Sequence, residues 1–210
     1  MIDVTGEINA VRRRVGERVL EAGTARTVTI SRSYDTGVED LWEAVTTADR
    51  ISRWFLPCSG ELRLGGRFAL EGNASGTIER CDPPKSFFAT WEFGGQVSWI
   101  DVRLTPEDGG RSRLELEHIA HVDDHWEQFG PGAVGIGWEQ GLLGLTMHLS
   151  SGGDLPEGTG PEWAMSDEGK EFTRLSGEGW FRAHVESGDD EATARSAADN
   201  TIAAYTGSVE

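Results

Sequence analysis

Three of the five histidines in this 210-residue chain, His118, His121 and His125, fall within eight residues, among the carboxylates Glu117, Asp123 and Asp124. Imidazoles and carboxylates at such spacing can hold a divalent metal or move protons near neutral pH. The pattern predicts that His118 ends a strand and that His125 opens another segment. The run therefore does not lie along one helix face, and no metal site is expected. His118 continues the alternation of Leu114 and Leu116, which turns it toward a buried face. One imidazole there can serve a ligand as a polar handle or act as an acid or base, although no nucleophile or oxyanion donor stands near it in the sequence. Cys58 and Cys81 are the two cysteines and lack CxxC spacing, so they read as inert buried thiols of a reduced, cytoplasmic protein.

The aromatic residues carry more information. Trp54, Phe55, Phe68, Trp91, Phe93, Trp126, Phe129 and Trp138 fall in segments that border one expected interior. Pockets for small molecules are lined by such side chains with a few polar groups among them, and a plain core uses the same residues. No GxGxxG, Walker loop or GxSxG is present, so no cofactor is expected.

The elements that must position these residues follow from periodicity. Ile8, Val11, Val15 and Val19, three and four apart among Arg12, Arg13, Arg14 and Arg18, predict an amphipathic helix within residues 1–24. Val28 and Ile30 alternate with threonine and serine, a half-buried strand from Ala25 to Tyr34. Leu41, Trp42, Val45 and Ala48 then repeat at helical spacing, and a short helix over Ala48–Phe55 ends before Pro57. Strand signals follow at Glu61–Leu64, Arg67–Glu71, Thr77–Cys81, Ser86–Phe93, Val97–Leu104 and Arg111–His118, separated by glycine and proline. Links this short force antiparallel pairing, because parallel neighbours need a crossover of roughly a dozen residues. In Val97–Leu104 the residues Ile100, Val102 and Leu104 face one way, with Asp101 and Arg103 opposite. That implies one buried face and one wet face.

A helix over Gly132–Leu149, with Val134, Trp138, Leu142, Leu145 and Leu149 on one side, is expected to cover the buried face. Its Gly137, Gly141 and Gly144 lower helix propensity by about 1 kcal/mol each, so packing must hold it, and the glycines read as points of close approach. After a glycine- and proline-rich link over Ser151–Gly160, two helical patterns, Phe172–Ala183 and Ala194–Tyr205, predict a docked acidic helical hairpin.

A net charge of -17, from 36 acidic and 19 basic side chains, disfavours nucleic acid and anionic membranes as partners. No uncharged apolar stretch reaches the ~20 residues of a membrane span. At 210 residues one main domain with an appendage is expected.

One strand, two short helices, an antiparallel run and a long closing helix form the order of the helix-grip architecture, an α+β fold. Leu41-Trp42-Glu43-Ala44-Val45-Thr46, Arg53-Trp54-Phe55, Gly65-Gly66-Arg67-Phe68, Gly76-Thr77-Ile78 before Pro83-Pro84, Ala89-Thr90-Trp91 and Gly137-Trp138-Glu139-Gln140-Gly141-Leu142 resemble the activator of heat shock protein 90 ATPase homologue-like family. That family lies in the START-related SRPBCC superfamily. The resemblance implies a helix-grip domain over residues 25–150, flanked by residues 1–24 and by an acidic extension over residues 151–210. It also implies an apolar cavity between sheet and helix.

On this reading a small hydrophobic or amphipathic ligand is held by a sheet wall of Trp91, Phe93, Ile100, Val102 and Leu116. The helix wall is Trp138, Leu142 and Leu145, the mouth is Trp54 and Phe55, and His118 is the polar handle. Two alternatives share the chain: an enzyme of the cyclase or hydrolase kind using His118, and a chaperone cofactor or regulator that captures a protein partner through the acidic extension.

Overall fold

Short glycine-punctuated links do produce antiparallel pairing in the computed structural model, which describes residues 2–20, 23–156 and 158–207. The elements run α1 (Val4–Asn9), β1 (Arg12–Leu20), β2 (Gly23–Tyr34), α2 (Val38–Thr46), α3 (Ala48–Trp54), β3 (Cys58–Gly60), β4 (Arg67–Leu70), β5 (Ser75–Asp82), β6 (Ser86–Phe93), β7 (Gln96–Pro106) and β8 (Ser112–His121). They continue with α4 (Asp124–Phe129), α5 (Gly132–Ser151), α6 (Pro161–Ala164), α7 (Asp167–Glu186) and α8 (Glu191–Thr206). The fold is α+β, a helix-grip with a curved antiparallel sheet and a C-terminal helical extension.

The chain divides into two compact units, with β2 and α5 contributing to both. One unit comprises Ser31–Ala120 and Gly141–Leu155. Its strand order is β8-β7-β6-β5-β4-β3, with the end of β2 beside β8. Pairing of β6 with β7 sets Phe87 opposite Val102, Ala89 opposite Ile100 and Trp91 opposite Ser98. Pairing of β7 with β8 sets Ile100 opposite His118, Val102 opposite Leu116 and Leu104 opposite Leu114.

The second half of α5 packs on the end of α3 in this unit. A side chain at Gly144 would collide with the Trp54 carbonyl, and a Cβ at Gly141 would lie 3.2 Å from the Phe55 ring. Close approach, which a glycine allows, is thus the role of both. His148 completes the contact. Its Nε2 accepts from Arg50 Nε at 2.8 Å and its Nδ1 donates to the Gly153 carbonyl at 2.6 Å.

The other unit comprises the chain up to Ile30, His121–Gln140 and the residues from Pro156 onward. Trp180 and Phe172 of α7 are its largest fully buried side chains, and Gly135 of α5 makes room for the Trp180 indole. Helix α8 is tied to main-chain carbonyls. Asn200 Nδ2 donates to Gln128, Thr201 Oγ1 to Phe129 and Tyr205 OH to Ala133, at 3.0, 2.6 and 2.9 Å.

Several expectations are corrected. The helix expected within residues 1–24 is instead a short α1 followed by the strand β1. Valines four apart fit a period of two as well as a helical one, and β-branching favours the strand. Glu61–Leu64 is no strand; the chain turns there, with Gly66 N donating to Arg63 O at 2.8 Å. The strand forms one step earlier, as β3. Asp101 is buried rather than wet, held by Arg103 at 2.9 Å. Helix α5 is not one-sided: Ile136, Glu139, Leu143 and His148 are buried beside Leu142 and Leu145, while Val134, Trp138 and Leu149 are half-buried.

Candidate functional site

Residues paired across an antiparallel ladder share a face, so Trp91, Ile100, Val102, Leu116 and His118 stand on one side of β6, β7 and β8. Ile100, Val102, Leu116 and His118 are buried, and Trp91 and Ser98 are half-buried. Phe93 has the same parity but sits beside the β6–β7 turn and is 58% exposed, at the rim of this face rather than in its wall. Phe68 of β4 extends the face, its ring 6.2 Å from that of Trp91.

The polar group on this face is His118, 5% exposed, with its Nε2 2.9 Å from Ser98 Oγ. Ser98 Oγ also donates to the Trp91 carbonyl at 3.1 Å, and the Trp91 ring meets the imidazole edge-on at 6.3 Å between centroids. Burial disfavours the charged imidazole and lowers the His118 pKa to about 4. The ring is therefore neutral at physiological pH, with hydrogen-bonding capacity and no charge.

Ser98 was not singled out among the sequence candidates, although parity marks it: it stands two residues before Ile100 on the same strand face. It gives the imidazole the hydroxyl neighbour that the sequence did not reveal.

On the helix side, Leu142 and Leu145 are buried in the same unit as His118. Trp54 and Phe55, expected at a mouth, stack on each other at 5.5 Å. Trp54 is 9% exposed and donates its Nε1 proton to the Ala44 carbonyl at 2.9 Å. Its indole belongs to the contact of α2, α3 and α5, because the glycines of α5 bring that helix down onto it. Phe55 is half-buried beside it. Trp138 lies in the other unit.

The remaining histidines are dispersed. His121 ends β8, and His125 is within α4 with its ring 4.8 Å from that of Phe129. Among the described residues no group of three or more His, Cys, Asp or Glu side chains is placed to hold a metal ion. Burial pushes both the Cys58 and the Cys81 thiol pKa up, away from reactivity.

In the unit containing α7, Arg13 and Glu139 form a buried pair that no spacing in the sequence marks. Arg13 Nε and Nη2 each donate to the carboxylate at 2.6 Å, and the guanidinium reaches the Ile8 and Val11 carbonyls. Nearby in sequence to the helical hairpin loop, His184 Nε2 lies 3.2 Å from Asp189, which Arg26 also engages. Burial lowers the His184 pKa, against the opposing pull of Asp189. No described helix is long and apolar enough to cross a membrane.

Known proteins share this fold. The crystal structure of CalU16 from Micromonospora echinospora is 38% identical, with a TM-score of 0.68, over 83% of this chain and 98% of that one. The solution structure of CalU16 gives 35% identity and a TM-score of 0.72 over 85% and 97%. Protein MLL2253 from Mesorhizobium loti, 24% identical with a TM-score of 0.54 over 60% of this chain and 98% of that one, shares the fold. No curated protein matches. The model of the family described as activator of Hsp90 ATPase homolog 1-like protein matches residues 35–150. The chain therefore belongs to that family, within the helix-grip SRPBCC superfamily, whose members are typically ligand-binding domains rather than catalysts.

Proposed function

We propose that the protein binds a small hydrophobic or amphipathic molecule against the face formed by Trp91, Ile100, Val102 and Leu116. His118 and Ser98 supply the polar contact, and Leu142, Leu145 and Phe55 bound the helix side. Phe93 serves the rim. The observation that carries this reading is one neutral, buried imidazole paired with a hydroxyl at 2.9 Å within an otherwise apolar wall. A few placed polar groups in an apolar lining are what fix the orientation of a small ligand.

The test is native mass spectrometry of the purified protein beside its denatured mass, followed by tryptophan-fluorescence titration with a fatty acid and with a polycyclic aromatic phenol. Binding that Leu142→Ala and His118→Phe each weaken, with native far-UV circular dichroism retained, is the expected result. Unchanged affinity in both variants would sink the assignment.

A second reading rests on the same pair, since a hydroxyl within reach of an imidazole becomes a nucleophile with its base once the hydroxyl proton turns from the Trp91 carbonyl to His118 Nε2. It requires turnover of an ester or polyketide-like substrate that Ser98→Ala removes while binding persists. The acidic extension as the surface for a protein partner is a third reading. It requires partner capture to disappear with charge reversal on α7 and α8 while ligand binding is kept.

A further inference from the structure

His148, in the last turn of α5, is 1% exposed and takes no part in the ligand face. An arginine can only donate a hydrogen bond and a carbonyl can only accept one. With Arg50 Nε on its Nε2 at 2.8 Å and the Gly153 carbonyl on its Nδ1 at 2.6 Å, both ring nitrogens are committed and the imidazole is the neutral Nδ1–H tautomer. A protonated imidazole donates from both nitrogens. Its Nε2 proton would point at the Arg50 Nε proton, and two cations would meet at hydrogen-bond distance. The closed contact therefore excludes the proton.

The carboxylates around this contact are already engaged. Asp40 of α2 accepts from Arg50 Nη1 at 3.0 Å through Oδ1 and from Thr36 Oγ1 at 2.7 Å through Oδ2. In the link after α5, Asp154 lies 3.9 Å from Arg53 Nε, and Arg53 also engages Asp49 of α3 at 2.7 Å. Asp40 would attract a charged imidazole, but Arg50, bonded directly to the ring, repels it at shorter range.

His148 bonds a helix on one side and the link on the other. Helix α3 has seven residues, fewer than the ~12–15 an isolated helix needs, so its position depends on what it packs against. Arg50 ties it to α5 through His148, and the Trp54 carbonyl meets Gly144 at its end. Leu155 N donates to the Arg53 carbonyl at 3.2 Å, and its side chain lies against Gly144, so the link closes over the same contact. Phe55, directly after α3, faces Gly141 and belongs with Leu142 and Leu145 to the helix side of the ligand face.

We propose that His148 is a proton-sensitive fastener: in mild acid α3 and the link over residues 152–155 part from α5, and the helix side of the ligand face opens to release its ligand. The release rests on the binding function proposed above, whereas the opening of α3 and the link does not. A proton taken up by the open form alone shifts the population toward that form. One pH unit below the ordinary imidazole value of about 6.5, that uptake multiplies the open population about tenfold.

The experiment compares the full chain at pH 7.5 and pH 5.5. Amide hydrogen exchange of the ligand-free protein, corrected for the intrinsic pH dependence of exchange, reads the opening, and stopped-flow fluorescence reads the release of 2-naphthol, which is neutral at both pH values. The expected result at pH 5.5 is about a tenfold loss of protection over Ala48–Trp54 and residues 152–155, with about tenfold faster release. His148→Gln, which offers Arg50 an oxygen and takes up no proton, should show neither change. Arg50→Gln, which removes the opposing cation, should shrink both, and His184→Gln should keep both. Unchanged protection in the wild type, an equal loss in His148→Gln and in Arg50→Gln, or release that stays constant while protection falls would each overturn the proposal. Protection lost as expected with no 2-naphthol bound at either pH would uphold the fastener and count against the ligand assignment instead.

Discussion

His118 on β8 and Ser98 on β7 meet at 2.9 Å, diagonal neighbours on one face of adjacent antiparallel strands. Burial holds the imidazole neutral, with a folded pKa of about 4 against 6.5 for the free side chain. The unfolded chain therefore takes up a proton below pH 6.5 that the folded one refuses until pH 4. This contribution to stability is whole above pH 6.5, shrinks as the pH falls to 4, and is flat below it. Its size is about 3 kcal/mol at most. Urea denaturation from pH 7.5 to 4 should show a steeper loss for the wild type than for His118→Gln. Parallel profiles would mean that the imidazole is not buried neutral.

The Arg13–Glu139 pair makes a prediction of opposite character. Both side chains are withdrawn from water, with 9% and 0% exposure, so removing one leaves the other charge stranded. Glu139→Gln is expected to cost about 3–5 kcal/mol, whereas Arg13→Met/Glu139→Leu should recover most of it. Denaturation midpoints at a common m-value would show the asymmetry.

Gly144 faces the Trp54 carbonyl at the α3–α5 contact, and Gly153 has open space around it. Gly144→Ala is expected to destabilise by about 1–3 kcal/mol through overpacking, and Gly153→Ala by no more than about 0.5 kcal/mol. Equal melting temperatures in the two variants would show that α5 does not approach α3 this closely.

Tyr205→Phe removes one of the three bonds that tether α8. The expected loss is about 1 kcal/mol, with hydrogen exchange accelerated in α8. Exchange confined to its wild-type rate there would contradict the tether.

Period and punctuation carried much of this fold. Ser86–Phe93 is a strand with those same limits, because glycine and proline bound it on either side. The antiparallel order followed from link length. What the sequence obscured has identifiable physical causes. Val11, Val15 and Val19 satisfy two periods at once, and only pairing with β2 decides between them. Glu139 reads as a surface residue until Arg13, 126 positions away, neutralises it. Ser98 is polar, and an apolar wall traced by hydrophobic residues alone passes over it. Trp54 resembled a pocket residue because nothing in its own neighbourhood announces that two glycines some ninety residues later bring a helix down upon it.

The bonds from Asn200, Thr201 and Tyr205 end on the main-chain oxygens of Gln128, Phe129 and Ala133. Every residue type presents the same oxygen, so the last helix recognises the path of the chain from α4 into α5 rather than its side chains. Substitutions along that path that keep the backbone trace leave these attachments in place, whereas a one-residue insertion would displace all three together. Apart from Gly130 and Gly132, where an added Cβ would lie 3.1 Å from Ala197 and Thr201, the segment can thus vary in chemistry while being fixed in length.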